Sequence, residues 1–160
     1  MMSIFVGMWS GDDATELIRA SVGEIGPALL DEARHSCATH AVDWLLFSSI
    51  MIVQYLRGVV TDQRDDHVGR VASEAVAHGI EPYEAPAPIC DEQDVRRLAT
   101  KLVGLSVPRL PGSDSRPSWV DAPALAELVA TRYYPARYFA QLVAKVATEV
   151  DVNPWLVPAS

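Results

Sequence analysis

The sequence predicts an all-α, single-domain bundle of five or six helices. Apolar residues recur at helical spacing in six segments, and Pro and Gly residues separate these segments. No stretch alternates polar and apolar residues clearly enough to predict a paired strand. A chain of 160 residues, 49% of them hydrophobic and 21% charged, is long and apolar enough to bury one core. We therefore expect a single helical domain over residues 1–160.

The first helix is predicted to begin near Asp13, after an apolar N-terminal segment, 1–11. Asp13 and Glu16 have the spacing of a capping box, whose side chains bind the free amides of the first turn. The buried face of this helix is formed by Leu17, Ile18, Val22 and Ile25. Gly26 and Pro27 then end this helix and open the next one, because proline is favoured in a first turn.

The second helix is predicted to be the longest, from about 27 to 57. At 1.5 Å per residue it would be about 45 Å long and would form the centre of the bundle. Its apolar stretch, 41–56, includes polar residues and is shorter than the roughly 20 residues that a membrane span needs. We expect it to lie in the core of the protein and to end at Gly58.

The same signals predict four further helices, which cover residues 63–78, 91–104, 121–134 and 136–150. Between and after them lie a Pro-rich linker, 80–90, an exposed loop, 106–118, and a C-terminal tail, 151–160. Prolines in the first two segments stop helix propagation because they lack the amide hydrogen. The tail contains Trp155 and Leu156, so we expect it to pack on the body of the protein or on a partner.

The charge balance excludes some classes of partner. The net charge is −8 and the basic residues are scattered, so we expect no nucleic-acid partner.

Two cysteines, Cys37 and Cys90, are too few for a disulfide framework. The apolar N-terminus lacks the basic residues of a signal peptide. These features predict a cytoplasmic protein with no membrane partner.

The central helix places a carboxyl group among apolar neighbours. Asp43 follows Val42 and precedes the apolar run 44–47. A carboxylate in such surroundings needs a partner, since burial removes its hydration. His40 lies three residues earlier on the same helical face, and a His–Asp pair can act as a general base. We therefore predict His40 as the catalytic base and Asp43 as its orienting group or an acid.

The same helix supplies a predicted ligand pocket around this pair. Trp44, Phe47 and Tyr55 would form its apolar walls, and Glu32 and Ser36 would extend its polar edge. The alternative interpretation is a solvent-exposed face at the start of the helix that becomes buried further along.

Metal and cofactor sites have weaker signals. Glu32 and His35 match one Glu-x-x-His motif, but a di-iron bundle needs a second copy. Cys37 lies three residues before His40, although a buried cysteine is more often a small apolar residue. No Gly-rich phosphate loop is present. We therefore predict no metal and no cofactor.

The segment 132–138 is the densest cluster of arginine and tyrosine. Arg132, Tyr134 and Arg137 are predicted to form a partner surface or the rim of an anion site, because tyrosine and arginine are common at interfaces. The alternative is a helix junction at Pro135 whose tyrosines close the core.

Two functions follow as hypotheses. The first is a small-molecule-binding helical protein, with non-redox acid/base chemistry such as cyclisation, elimination or isomerisation in an interhelical pocket. The second is a non-catalytic interaction module that acts as a regulator, inhibitor or assembly partner. A homodimer is compatible with both.

Overall fold

A computed structural model describes residues 12–61, 71, 75, 80, 83–105 and 122–158. Six α-helices lie within these residues: α1 (Asp12–Ile25), α2 (Pro27–His40), α3 (Trp44–Thr61), α4 (Glu92–Leu105), α5 (Ala122–Tyr133) and α6 (Arg137–Val152). A single 3-10 turn, Pro154–Leu156, follows α6. The described residues contain no strand, so the predicted all-α bundle is confirmed.

The prediction of one long helix over 27–57 is wrong in one respect, because the helix is interrupted between His40 and Trp44. Ala41 adopts the left-handed conformation, with φ 55° and ψ 41°. The amide of Val42 then bonds the carbonyl of Cys37 at 3.0 Å, which is the pattern of a Schellman motif. Glycine usually occupies such a position, and its absence here hid the helix end in the sequence.

The central helix also extends beyond its predicted end. Gly58 lies inside α3, which continues to Thr61. A Cβ atom on Gly58 would lie 2.6 Å from Cγ of Pro88. The glycine therefore lets the segment before α4 pack directly on the backbone of α3, and it is not a helix stop.

Helix α3 forms the centre of the core. It is buried on nearly all sides, which is typical of a helix surrounded by others. It packs against α6 most extensively, and also against α1, α2 and α5. Phe47 of α3 and Phe139 of α6 are the largest fully buried side chains. The other main pairings are α5 with α6 and α2 with α4.

Several predicted segments fall outside the described residues. They are the N-terminal segment 1–11, most of the helix 63–78 and the loop 106–118. Val71 and Ala75 are helical and buried. Residues 83–90, within the predicted linker, form no helix. None of the helices within the described ranges is both long and apolar enough to cross a bilayer.

The C-terminal tail, predicted to pack on the body of the protein or on a partner, folds back on the body. Leu156 and Val157 are buried. The indole of Trp44 donates a hydrogen bond to the carbonyl of Val157 at 2.8 Å, and Arg34 donates one to the carbonyl of Pro158 at 2.7 Å. The tail thus covers the break between α2 and α3.

Candidate functional site

Asp43 is the N-cap of α3. Its Oδ1 accepts a hydrogen bond from the amide of Leu45 at 2.8 Å, and its carbonyl accepts one from the amide of Phe47 at 3.0 Å. This is the ordinary role of an aspartate that precedes a helix, where free amides need an acceptor. The carboxyl group among apolar neighbours thus has a structural partner in its own helix.

His40 has a different partner from the predicted one. Its Nδ1 donates to the carbonyl of Ser36 at 2.9 Å, within the last turn of α2. Among the hydrogen bonds and ion pairs of the described residues, none joins His40 to Asp43. The catalytic role of this pair stays a prediction, without the contact that general-base chemistry would use.

The predicted polar edge of the pocket instead connects two helices. Ser36 donates to Oε2 of Glu32 at 3.1 Å, and Oε1 of Glu32 lies 3.5 Å from the guanidinium of Arg96 on α4. Glu32 and Ser36 are therefore brought together, but their contacts point to the α2–α4 packing. No described contact joins either of them to Asp43.

A cleft does exist beside Asp43, at the start of α3. It encloses about 210 Å³, less than the roughly 300 Å³ at which ligand pockets usually begin. The residues that line it are Asp43, Trp44, Leu45, Val150, Asp151, Pro154 and Val157. Phe47 is not among them, because its ring is fully buried and stacks on that of Trp44 at 6.3 Å.

Cys37 is not an activated nucleophile. Burial, followed by the charge of Asp43, raises the pKa of its thiol to about 12. A thiol with this pKa stays protonated at neutral pH, and the thiolate is the reactive form. Cys37 therefore acts as a small buried residue of the α2 face that contacts the core.

A larger groove lies towards the other end of α3 and contains Tyr55. It encloses about 390 Å³, within the usual range for small-molecule sites. Its lining is mainly apolar and comes from α1, α2, α3 and the segment before α4: Glu24, Ile25, Leu29, Tyr55, Gly58, Val59, Pro88, Ile89 and Cys90. The predicted ligand residue Tyr55 thus lies in a groove, but not in one shared with Asp43.

The polar wall of this groove is a carboxylate–phenol pair. Tyr55 donates to Oε1 of Glu24 at 2.7 Å, and the amide of Val71 donates to Oε2 at 3.0 Å. Burial, and next the hydrogen bond to Glu24, raises the pKa of Tyr55 above its ordinary value. Tyr55 is therefore a neutral donor, and none of the cations in the described ranges pairs with Glu24.

Cys90 forms one edge of the same groove. It is exposed, and its amide donates to Oδ2 of Asp94 at 3.0 Å, which fixes the backbone at the start of α4. A reagent that reaches this thiol would also reach the mouth of the groove. The residue therefore provides a chemical reporter of groove occupancy.

The predicted arginine–tyrosine cluster is divided between surface and core. Arg132 and Arg137 are exposed, while the ring of Tyr134 packs edge-on against Phe139 with centroids 5.8 Å apart. Tyr133 donates to Oε1 of the buried Gln54 at 2.8 Å. Tyrosines thus close the core at this junction, and the two arginines stand outside it.

Glu24 and the groove edge formed by Pro88, Ile89 and Cys90 were not predicted from the sequence. Glu24 lies 31 positions before Tyr55, so no local spacing connects them. The close packing of Pro88 on α3 depends on Gly58, which was interpreted as a helix stop. Nowhere in the described part of the chain do three His, Cys, Asp or Glu side chains come together as a metal site would need.

No known family model matches the chain, and comparison with curated proteins and with solved structures gave no match either.

Proposed function

We propose that the protein binds a small molecule in the groove between α1, α3 and the segment 88–90. The observation that carries this proposal is a mainly apolar groove of about 390 Å³ whose wall holds the Glu24 carboxylate. Apolar sites with a few convergent polar groups are the usual form of small-molecule sites. The cleft at Asp43 is about half this volume and is the weaker candidate.

The chemistry of the wall selects the class of ligand. Both described partners of Glu24, the phenol of Tyr55 and the amide of Val71, are neutral donors. A carboxylate has about four acceptor positions, so Glu24 can accept further hydrogen bonds. The net charge of −8 also attracts cations. The proposed ligand therefore has an apolar body and a protonated amine that reaches Glu24.

Three probes of nearly equal shape test this proposal. Phenethylamine, phenethyl alcohol and phenylacetate share one aromatic ring and differ in charge. We expect calorimetric titration to show the highest affinity for the amine, a lower affinity for the alcohol and the lowest for the carboxylate. Glu24 is exposed, so water screens its attraction for the amine, and the ion pair should contribute at most about 1 kcal/mol. The amine should therefore bind up to about fivefold more tightly than the alcohol. Equal binding of all three, or no binding of any, would contradict the proposal.

Two matched variants locate the site. Glu24→Gln removes the charge and keeps an acceptor for one hydrogen bond, so the amine should lose its advantage over the alcohol. Asp43→Asn makes the same change at the cleft and should leave binding unchanged. If Asp43→Asn abolishes amine binding and Glu24→Gln does not, the ligand occupies the cleft and the groove is not the site.

Alkylation of Cys90 gives an independent measure of occupancy. Iodoacetamide should modify Cys90, which is exposed, and spare Cys37, which is buried with its pKa raised to about 12. Saturating phenethylamine should slow this alkylation, because the thiol lies at the groove edge. An unchanged alkylation rate would mean that the probe binds elsewhere.

A protein-interaction role is the second candidate, supported by apolar side chains on the tail. Val152 is 72% exposed and Trp155 is 57% exposed. One face of the Trp155 ring lies 5.8 Å from the Arg19 guanidinium, and the rest faces outward. This patch would suit a homodimer. Sedimentation of the wild type and of Trp155→Ser tests it: a wild-type dimer that the variant dissociates supports the idea, and a wild-type monomer ends it.

A further inference from the structure

Arg57 has an unsatisfied donor inside the protein. The residue is half-buried near the end of α3, and its Nε is buried without a hydrogen-bond partner. Within the residues that the structure describes, no carboxylate forms an ion pair with its guanidinium. Folded proteins contain few such groups, because a buried donor without an acceptor has lost its hydrogen bonds to water and destabilises the fold.

The described side chain that interacts electrostatically with Arg57 is neutral. This side chain is Tyr83, which is fully buried and donates to the carbonyl of Val53 at 2.6 Å. Burial, and next the neighbouring Tyr138, raises the pKa of Tyr83 well above its ordinary value, although the charge of Arg57 opposes this. Tyr83 is therefore a neutral phenol and supplies no counter-ion.

Tyr83 and Tyr138 form an aromatic wall next to Arg57. Their ring centroids are 5.4 Å apart, and the planes are tilted by 60°. Tyr138 belongs to the first turn of α6, so the wall connects the segment before α4 with the α5–α6 junction. An aromatic wall restricts water, and a cation beside it interacts more strongly with an anion.

Two more arginines lie at the same end of the bundle. Arg132 and Arg137 flank the α5–α6 junction, and neither has an ion-pair partner in the described ranges. Tyr133, next to Arg132, bonds Gln54, which lies one turn before Arg57 on α3. A chain with net charge −8 thus has three arginines without described carboxylate partners at one end.

We propose that Arg57 is the inner contact of an oxyanion site, which binds a carboxylate or phosphate group of a small molecule, with Arg132 and Arg137 at its entrance. The guanidinium presents a planar set of donors that matches both groups in a bidentate arrangement. The buried Nε would then acquire the acceptor that it lacks. This site is separate from the groove at Glu24, and either can exist without the other.

Thermal unfolding with added anions tests this site. Inorganic phosphate and succinate, each compared with chloride at equal ionic strength, probe the two oxyanion classes. We expect at least one to raise the Tm of the wild type in a saturable way. If neither phosphate nor succinate does so, the proposal is wrong. A response to phosphate alone, or to succinate alone, identifies the class of group that the site prefers.

Arg57→Met separates binding from structure. Because the variant removes an unpaired buried donor, its Tm without added anion should equal or exceed that of the wild type, by about 2–4 °C. Its response to the effective anion should disappear. Arg97→Met is the control, since Arg97 is exposed and pairs with Asp94 at 3.0 Å, and it should keep the anion response. A lower Tm with an unchanged response in Arg57→Met would make Arg57 a structural residue.

Two further variants keep the test informative if Arg57→Met does not fold. Arg57→Lys retains the charge without the planar guanidinium, and it should lower the affinity for the anion at least tenfold in calorimetric titration. The double variant Arg132→Ala with Arg137→Ala should lower the affinity for the anion several-fold at low salt. The loss should be smaller at high salt, because salt screens the attraction between exposed charges and the anion. If both variants bind like the wild type, the site is not built from these arginines.

Discussion

The two ends of α3 each have a carboxylate, and the two carboxylates differ in how their hydrogen bonds are used. The carboxylate of Asp43 accepts a hydrogen bond from the amide of Leu45, in the first turn of its own helix. Glu24, from α1, instead accepts donors from two other parts of the chain, Tyr55 and Val71. The comparison teaches that a carboxylate among apolar sequence neighbours can simply mark a helix start. Conversely, a carboxylate whose sequence neighbours give no such signal can form the wall of a groove.

The two ends also differ in their tyrosine hydrogen bonds. Tyr55, Tyr83 and Tyr133 donate hydrogen bonds around the second half of α3, from Val53 onward. Their acceptors include the backbone carbonyl of Val53 and the side-chain oxygen Oε1 of the buried Gln54. The start of α3 has no described tyrosine hydrogen bond. The half of the helix near the groove therefore combines burial with protonated phenols, and it should respond to alkaline pH.

The largest expected effect is a loss of stability above pH 10. Burial raises the pKa of Tyr133 to about 12, against an ordinary value of 10.0, although its hydrogen bond to Gln54 lowers it in part. Between these values the unfolded chain binds fewer protons than the folded protein, so the free energy of unfolding falls as pH rises. The slope is about 1.4 kcal/mol per pH unit for each tyrosine that stays protonated when folded.

Urea unfolding at a series of alkaline pH values measures this slope. Tyr133→Phe should make this slope shallower by up to about 1.4 kcal/mol per pH unit between pH 10 and 12, which corresponds to one proton. This change is expected whatever the stability of the variant at neutral pH. Asp43→Asn, at the opposite end of α3, should leave the slope unchanged. Equal slopes in the wild type and in Tyr133→Phe would mean that this phenol is not protected by folding.

Gly58→Ala is expected to have the next largest effect. The new Cβ would lie 2.6 Å from Cγ of Pro88, and the proline ring cannot move without its backbone. Overpacking of this kind costs about 1–3 kcal/mol of unfolding free energy. The displaced segment would also change the groove edge, so amine binding should weaken in calorimetric titration.

The control for this substitution is Gly104→Ala in α4. Apart from its chain neighbours and its own helix backbone, the described residues place no atom within 4 Å of the Cβ that would be added there. Alanine should therefore stabilise the helix by about 0.5–1 kcal/mol. The opposite signs of the two substitutions are the result that matters, and a stabilising Gly58→Ala would show that Pro88 does not press on α3.

The sequence predicted the elements of the fold well where local signals define them. The apolar spacing in α1, α4, α5 and α6 gave their positions to within a few residues, because each has a clear buried face and a proline, glycine or aspartate at its end. The break after His40 was missed because Ala41 takes a conformation usual for glycine. Local propensity alone favours a continued helix at alanine.

The candidate site was harder to predict than the fold. Tyr55 was selected as a ligand residue and lies in the groove, whereas its partner Glu24 comes from a helix far away in sequence. Groove residues from four segments meet only after packing, so no spacing rule connects them. Placing His40 and Asp43 on one face assumed a continuous helix, and the break at Ala41 removes that assumption.

Asp43→Ala tests the capping role at the other end of α3. Loss of an N-cap aspartate costs about 1 kcal/mol, since the amide of Leu45 loses its acceptor. Asp43→Asn should cost much less, because asparagine caps helices equally well. Denaturant midpoints of the two variants measure the difference. Equal destabilisation by Ala and Asn would point to the charge of Asp43 and against the cap.

The smallest expected effect, and the sharpest in sign, comes from Ala41→Gly. In an uninterrupted helix this substitution costs about 1 kcal/mol. At the left-handed position that ends α2, alanine is strained by about 1–2 kcal/mol, and glycine recovers that strain less about 0.5–1 kcal/mol of chain entropy. We therefore expect the unfolding free energy to rise by a few tenths to about 1 kcal/mol, measured by urea unfolding with an unchanged m-value. A decrease in the unfolding free energy would instead support an uninterrupted helix over 27–57. His40 and Asp43 would then share the helical face on which they were predicted to meet.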